Sequence, residues 1–316
     1  MLPRITLPST SLSVSPFCLG TALWGSSFRG AALEELFTTF LEAGGNFFDT
    51  AHCYAFWLDE GRGASETTLG ELVRKHSRRS DVVIATKGGH PDGGPLYLRP
   101  DKYLSPELIA QDLQESLARL EMDSVDIYYL HRDDARVPVS EIMDSLNVHV
   151  RAGRIRCLGV SNWTIPRIAE ANAYAAAHGL SGFTVSQPQW SLAHPTAPVP
   201  ASDPAMRHLT PEDIKWHLQH QFPVVPYSST ANGYFVGDKP RAGDFDNAIS
   251  RTRFDRAKRQ ASELHAKPDQ IALAYLLCQP FPVIPTLGTT NASHLRDAFP
   301  AVSIKLTPEQ LRYLEG

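Results

Sequence analysis

The feature that most constrains the fold is an alternation between short apolar runs and longer segments with helical spacing. Eight runs are rich in β-branched and aromatic residues, and helical segments separate them. They are FCLGT (17–21), NFFDT (46–50), VVIATK (82–87), VDIYYLH (125–131), IRCLGVS (155–161), FTVSQ (183–187), PVVPYS (223–228) and PVIPTLG (282–288). Apolar strands separated by helices predict parallel pairing in a sheet that is covered on both faces.

Several helical segments begin with a capping signal. A Ser or Thr is followed by proline and an acidic residue in SPEL (105–108), TPED (210–213) and TPEQ (307–310), as is typical of helix starts. The predicted helices are 31–43, 65–76, 105–120, 140–152, 165–178, 211–220, 251–265, 268–279 and 307–315.

A doubly wound sheet and a closed barrel both fit this alternation. The count of eight favours an α/β fold of the (β/α)8 TIM-barrel type, which typically has about 250 residues. The chain has 316 residues, and we assign the surplus to an N-terminal hairpin under the barrel, long loops and extra helices. Since no linker interrupts the pattern, we predict a single barrel domain over 1–316.

Composition excludes several classes of partner. The net charge is −4 and the charges are interspersed, which disfavours nucleic acid. The first ten residues lack the apolar core of a signal peptide, and no apolar stretch is long enough to cross a membrane. The four cysteines (Cys18, Cys53, Cys157 and Cys278) are scattered, as expected for reduced thiols in a cytoplasmic protein. A monomer and a small homo-oligomer both stay open.

The candidate site residues are the polar residues that end the strand runs, because barrel active sites lie at the C-terminal ends of the strands. They are Asp49 and, just beyond it, Tyr54, then Lys87, His131, Ser161, Asn162, Gln187, Tyr227, Ser228, Gly288, Thr289 and Thr290. We expect these side chains to meet on one face of the barrel.

Four of these residues form a chemically coherent set. A buried Lys87 needs a partner, and Asp49 on the neighbouring strand is the natural one. We expect this ion pair beneath Tyr54, where the ammonium would lower the phenol pKa from its ordinary value of about 10. A tyrosine tuned in this way exchanges a proton with a reacting oxygen, which His131 would orient by a hydrogen bond.

Seven stretches of the chain, in the same order, resemble the aldo-keto reductase family and cover nearly all of it. They are FFDTAHCY, IATKGG, DIYYLHRDD, GRIRCLGVSNW, VSQPQWSL, PYSSTANGYFVG and IPTLGTTNASHLRDAF. The resemblance implies reversible hydride transfer between the nicotinamide of NADP(H) and a small carbonyl or alcohol substrate. It implies a catalytic set of Asp49, Lys87, His131 and Tyr54, with Tyr54 as the proton donor.

The resemblance also implies the residues that bind the cofactor. Those near the nicotinamide ribose are Gly20, Thr21 and Asp49. Those that hold the carboxamide are Ser161, Asn162 and Gln187, and Trp190 takes the aromatic place against the nicotinamide ring. Those that cover the pyrophosphate are Tyr227, Ser228, Thr230 and Gly233.

The last motif, GTTNASHLRDAF (288–299), departs from the family pattern. Asn291 and His294 stand where basic residues usually bind the 2′-phosphate, and Asp297 matches an acidic residue on adenine. With Gly288, the residues Thr289, Thr290 and His294 are still expected to bind a phosphate at the helix N-terminus. An NAD(H)-preferring sugar or alcohol dehydrogenase therefore stays open, as does a redox-sensing regulatory subunit.

Aromatic residues in loops after the strands are candidate walls of a substrate pocket. With Tyr54 and His131 they are Trp24, Trp57 and Trp163. The loops 55–63, 89–103 and 191–204 are expected to form its rim, and their mix of aromatic and charged residues favours a polar, sugar-like carbonyl.

His52 and Cys53, within FFDTAHCY, are weaker candidates. Zinc needs about four ligands, or three at a catalytic site, and no other Cys/His pair has ligand spacing, so we predict no metal. A Cys53 nucleophile would need a base that holds its thiolate, and nothing in the sequence marks one. We interpret both residues as packing residues.

Overall fold

The computed structural model describes residues 1–58, 61–92, 99–197 and 205–316. Its strands are β1 (Ile5–Thr6), β2 (Ser13–Val14), β3 (Cys18–Gly20), β4 (Phe47–Asp49), β5 (Val83–Gly88), β6 (Val125–Leu130), β7 (Ile155–Ser161), β8 (Phe183–Gln187) and β9 (Thr286–Leu287). Its α-helices are α1 (Ala31–Glu42), α2 (Ala64–His76), α3 (Pro106–Leu120), α4 (Val139–Arg151), α5 (Ile165–Ala177), α6 (Pro211–His220), α7 (Ala248–Glu263), α8 (Pro268–Leu277), α9 (Ala292–Ala298) and α10 (Pro308–Glu315).

The sheet is parallel and follows the chain order of the predicted barrel. Seven strands pair in the order β8-β7-β6-β5-β4-β3-β9, so the last strand lies beside the first strand of the barrel. Helices separate most successive strands, and the prediction of a (β/α)8 barrel is confirmed. The parallel register brings the carboxyl ends of β3 to β9 to one face of the molecule.

One predicted strand forms differently. The run 223–228 makes isolated bridges, in which Val224 pairs with Ser186 on one side and with Val283 on the other. Prolines explain the difference, because proline has no amide hydrogen to donate to a ladder. Five prolines at this junction each accept a main-chain hydrogen bond through the carbonyl: Pro188, Pro223, Pro226, Pro282 and Pro285. Four of these bonds join β8 to β9 through the run 223–228 without a continuous ladder, and the fifth joins Pro285 to Cys18 of β3.

The N-terminal hairpin forms as predicted. Ile5 pairs with Val14 in antiparallel register. Leu7 and Val14 belong to the same buried cluster as Phe47 and Tyr129 of the barrel strands. The hairpin therefore closes the end of the barrel opposite the strand ends that carry the site.

Capping fixes several helix starts where the sequence placed them. The side chains of Ser105, Thr210 and Thr307 each accept a hydrogen bond from the backbone amide three residues later. Two further apolar clusters pack outside the barrel interior. The larger one lies between the strands and α1 to α5, and the second surrounds α7, α8 and α10. In the part of the chain that the structure describes, no helix is both long and apolar enough to cross a membrane.

Candidate active site

The centre of the site is the ammonium group of Lys87, near the end of β5. Its Nζ lies 2.6 Å from Asp49 Oδ2, 2.8 Å from the Thr50 carbonyl oxygen and 2.8 Å from Tyr54 Oη. An ammonium has three hydrogens, and each has an acceptor here. The second carboxylate oxygen of Asp49 accepts from Gln187 Nε2 at 2.9 Å, so β8 also fixes the position of this ion pair.

Burial and charge act in opposite directions on this pair. Burial alone would lower the pKa of Lys87, but the charge and hydrogen bond of Asp49 together with Tyr54 raise it above its ordinary value. Lys87 is therefore a cation at neutral pH. A buried cation paired in this way holds its neighbours in a fixed geometry.

The predicted lowering of the Tyr54 pKa is wrong in its net sign. Burial raises the pKa of the phenol to about 12, and Lys87 offsets only part of that increase. Taking a phenolate out of water costs more than one nearby ammonium restores, because Asp49 neutralises much of its charge. Tyr54 is thus a fully protonated acid at neutral pH.

His131 follows β6 and faces Tyr54, with the two rings edge to face at 6.0 Å between centroids. Burial lowers the pKa of His131 well below its ordinary value, and the charges of His90, Arg132 and Lys87 act in the same direction. The imidazole is therefore neutral at physiological pH. A neutral imidazole carries one N–H donor, which a carbonyl oxygen accepts.

Cys53 lies against this histidine. Its Sγ is 3.3 Å from His131 Nδ1, and burial raises the thiol pKa to about 12. Such a thiol is a poor nucleophile at neutral pH. Cys53, His90 and His131 each place one possible metal ligand atom within 4.8 Å of the others. His52, in contrast, points to α3, where its Nε2 lies 2.9 Å from Glu115.

A cavity of about 1440 Å³ opens above these residues. Most of the sequence-predicted site residues line it: Gly20, Trp24, Asp49, Tyr54, His131, Ser161, Asn162, Gln187, Tyr227, Ser228, Thr230, Gly233, Gly288, Thr289, Thr290, His294 and Asp297. Residues from strand ends across the barrel thus meet at one cavity.

Hydrogen bonds hold the predicted carboxamide site in place. Asn162 Nδ2 donates to Ser161 Oγ at 2.9 Å, and Asn162 Oδ1 accepts from the Tyr227 hydroxyl at 2.8 Å. Ser161 Oγ donates to the Gln187 carbonyl oxygen at 2.8 Å. These contacts fix the orientation of the Tyr227 ring, which lines the cavity between strand ends.

Five predicted residues are not among those that line the cavity. Lys87 lies just beneath it, where its Nζ contacts Tyr54 Oη. Trp190 is 3% exposed and stacks on Phe281 within the second outer cluster. Trp163 is buried against Phe183, Trp57 is 59% exposed at the surface, and the Thr21 hydroxyl contacts Ser65. Among the residues that the structure describes, the cavity lining includes none of these five.

Several cavity residues were not predicted from the sequence. Met206 and Phe235 line it near the strand ends, and a charged group lines its far end: Asp238, Lys239, Arg241, Lys267 and Asp269. The stretch GDKPRAG (237–243) is a basic loop that directly follows GYFV (233–236), next to the predicted pyrophosphate-binding residues. This pattern is the sequence signal that could have indicated the charged end of the cavity. Parts of the predicted rim loops, residues 59–60, 93–98 and 198–204, lie outside the described residues.

Comparison with known proteins identifies the family. The model of the Aldo/keto reductase family matches residues 16–316. This chain belongs to the aldo/keto reductase family. It is therefore an oxidoreductase of small carbonyl compounds or alcohols, and aldo/keto reductases generally use nicotinamide cofactors.

Named relatives match over nearly the full length. An aryl-alcohol dehydrogenase of Pestalotiopsis microspora is 31% identical, covering 99% of this chain and 81% of that protein. Norsolorinic acid reductase A of Aspergillus parasiticus is 27% identical over 99% of this chain and 80% of the relative. The uncharacterized oxidoreductase YrpG of Bacillus subtilis is 30% identical over 98% of this aldo/keto reductase and 93% of its own length.

Proposed function

We propose that this protein reduces an aldehyde or ketone with NADP(H), and that Tyr54 gives the proton. The observation that carries the proposal is the fixed contact of Tyr54 Oη with Lys87 Nζ at the cavity floor. The phenol is buried and protonated, and the ammonium beside it is ready to stabilise the phenolate that proton transfer leaves behind.

The side chains of this site carry out the proton-transfer half of the reaction. A nicotinamide held in the cavity would supply the hydride to the carbonyl carbon. As that C–H bond forms, the electron pair of the C=O double bond moves to oxygen, and the Tyr54 hydroxyl transfers its proton there. The neutral His131 donates a hydrogen bond to the same oxygen, and Lys87 holds the resulting Tyr54 phenolate.

The cavity fits a dinucleotide together with a substrate. Its volume of about 1440 Å³ exceeds the ~300–1,000 Å³ of ordinary small-molecule pockets. We assign Tyr227, rather than Trp190, to the face of the nicotinamide ring, because Tyr227 lines the cavity and is held by Asn162. The segment 228–233 turns tightly along the cavity, with positive φ at Ser228, Ala231, Asn232 and Gly233, and it contributes Ser228, Thr230 and Gly233 to the wall that we assign to the pyrophosphate.

Basic residues at the far end of the cavity support NADP(H). Lys239 and Arg241 line it, and Arg241 also donates to the Asn232 carbonyl oxygen at 2.9 Å, so its guanidinium is held in place. These side chains supply the cationic charge that Asn291 does not, and a phosphate group attracts such charge.

An NAD(H) preference is the second candidate, because acidic residues line the same end. Lys267 pairs with Asp297 at 2.9 Å, and Asp269 lies beside them. A carboxylate accepts hydrogen bonds from a free ribose and repels a 2′-phosphate. Dissociation constants for NADPH and NADH, measured by fluorescence quenching on the same protein, distinguish the two: a lower value for NADH would reject the NADP(H) assignment.

The wall near the strand ends supports a flat, apolar substrate. Ala22, Leu23 and Trp24 follow β3 into the cavity wall, together with Met206 and Phe235. Apolar and aromatic walls favour an aryl carbonyl over the sugar-like one that the rim loops suggest. One relative carries a name of this kind, the aryl-alcohol dehydrogenase of Pestalotiopsis microspora. A panel of aryl aldehydes and oxidised sugars, followed by NADPH absorbance, tests this choice.

The proton donor is tested by Tyr54→Phe. We expect turnover to fall by at least about a hundredfold, because the acid contributes 10²–10⁴-fold in such reactions. The dissociation constant for NADPH should stay within about twofold, since the aromatic ring and its packing remain. Stopped-flow reduction and fluorescence titration measure the two quantities.

The matched control is Tyr174→Phe, which removes a hydroxyl that contacts Asp144 on the outer helices, away from the cavity. It should leave both quantities unchanged. Full turnover in Tyr54→Phe would show that another group gives the proton.

A further inference from the structure

We propose that Cys53 is a positioning residue: its thiol holds His131 in the tautomer whose Nε2–H points into the cavity. The proposal rests on the proposed function, because it concerns the hydrogen bond that His131 gives to the reacting oxygen. It assigns a role to a thiol beside the catalytic tyrosine.

The contact itself selects the tautomer. Cys53 Sγ and His131 Nδ1 lie 3.3 Å apart, within hydrogen-bond reach for sulfur. A thiol has one hydrogen to donate and is a weak acceptor, whereas an imidazole nitrogen without hydrogen is a good acceptor. The favourable arrangement is therefore S–H donating to Nδ1. Nε2 then carries the ring hydrogen, on the side of the ring left for the cavity that His131 lines.

Burial keeps both partners in the forms that this arrangement needs. Cys53 is 8% and His131 7% exposed. Burial raises the thiol pKa to about 12 and lowers the imidazole pKa, so the thiol keeps its proton and the ring stays neutral. The opposite pair, a thiolate beside an imidazolium, would place two charges where water cannot reach them.

The surroundings keep the two groups in contact. Cys53 belongs to a small buried cluster with Ala51 and Phe56, directly after β4. The His131 amide donates to the Gly88 carbonyl oxygen at 2.8 Å, and the ring of His90 packs edge to face on the His131 ring at 4.8 Å. The imidazole therefore has little freedom to flip, and the thiol decides only where its proton sits.

A metal-ligand role for the same atoms is the competing interpretation. Cys53, His90 and His131 could hold zinc, since the three donor atoms lie within 4.8 Å. Two features oppose it: Lys87 and Arg132 place positive charge close to His131, and zinc requires a thiolate. Activity that is lost on treatment with a chelator and restored by Zn²⁺ would overturn the proposal.

The test compares Cys53→Ala with Cys53→Ser in the full-length protein. Alanine removes the donor, and we expect kcat/KM for carbonyl reduction to fall between about threefold and about tenfold, the size of one neutral hydrogen bond. Serine restores an O–H donor and should recover most of the rate. The fall should appear in kcat rather than in the dissociation constant of the cofactor, because His131 acts on the reacting oxygen. Cys157→Ala removes a thiol that is not part of the cavity lining and should leave the rate unchanged.

Nitrogen-15 NMR of the histidine side chains supplies a readout that packing alone would not move. We expect His131 in the wild type and in Cys53→Ser to show a single neutral tautomer with the proton on Nε2. Cys53→Ala should show a mixture. An unchanged tautomer in Cys53→Ala, or equal losses of rate in the alanine and serine variants, would overturn the proposal. Since NMR needs no turnover, this result is separate from any failure of the proposed reduction.

Discussion

Each of the three ammonium hydrogens of Lys87 has an acceptor: a carboxylate oxygen of Asp49, the Thr50 carbonyl oxygen and the Tyr54 hydroxyl oxygen. The lysine therefore acts as a fixed charge that also sets the position of the phenol. The chemistry of Tyr54 comes from this contact and from burial, since an isolated phenol is a weak acid and a weak base at neutral pH.

The protonation states of Tyr54 and His131 predict how the reaction rates depend on pH. Tyr54 stays protonated up to a pKa of about 12, and His131 stays neutral because its pKa is lowered. We expect kcat/KM for carbonyl reduction to be flat from about pH 6 to about pH 9, because neither group changes its charge there. Alcohol oxidation needs the phenolate, so its rate should rise with pH over the same range.

Initial rates in both directions, taken in buffers of constant ionic strength, measure these profiles. A reduction rate that falls with an apparent pKa near 7 would contradict the assigned protonation states. Tyr54→Phe provides the control, since its residual rate should lose the pH dependence of the oxidation.

Sequence alone predicts which residues gather at this site better than it predicts what surrounds them. Asp49, Tyr54 and Lys87 follow from their places at strand ends. The net pKa shift of Tyr54 does not, because it depends on how completely the fold removes water. The turn that carries Trp190 away from the cavity also depends on tertiary packing, here against Phe281.

At the scale of elements, the start of α2 ties three strand ends together. Ser65 Oγ contacts the hydroxyls of Thr21 and Thr50 at 2.7 and 2.8 Å. The next residue, Glu66, is fully buried and accepts from Thr86 Oγ1 at 2.6 Å. Two adjacent helix residues thereby contact the ends of β3, β4 and β5, which hold the site.

Glu66→Ala tests this junction. The change leaves Arg119, which lies 3.2 Å from Glu66, and the Thr86 hydroxyl without their buried acceptor. We expect the free energy of unfolding to fall by about 3 kcal/mol, as for other broken buried ion pairs. Glu71→Ala, at an exposed position of the same helix, should change it by less than about 0.5 kcal/mol. Urea denaturation compares the two, and equal effects would contradict the role of Glu66.

Helices were more predictable than strands for a local reason. Caps such as Thr210 and Thr307 act within one turn, so a few residues suffice to place a helix start. A strand depends on its neighbours, and the run 223–228 could not be distinguished from a regular strand by its apolar residues. Its prolines were the local signal against a full ladder.

At the scale of the whole molecule, buried histidines predict sensitivity to acid. Burial lowers the pKa values of His131, His149, His208 and His217, that of His208 to about 4. The unfolded chain titrates near about 6.5, so below that pH it binds protons that the folded chain does not. We therefore expect the free energy of unfolding to fall as the pH is lowered from about 7 to about 5.

Urea denaturation at a series of pH values measures this slope. His208→Gln should reduce it, because the variant lacks one of the four groups. A stability that is constant or that increases over this interval would contradict the buried, neutral state of these histidines.

The junction between β8 and β9 has a consequence for how the molecule behaves among other copies of itself. A gap in a barrel ladder ordinarily leaves edge amides that a second chain can pair with, which is a common start of aggregation. Here five of the residues at the gap are prolines, which have no amide hydrogen and whose carbonyl oxygens already accept hydrogen bonds. The amides of Val224, Val225 and Tyr227 between them donate to neighbouring carbonyl oxygens. The interrupted junction therefore offers a second copy of the chain few unpaired backbone groups to bind.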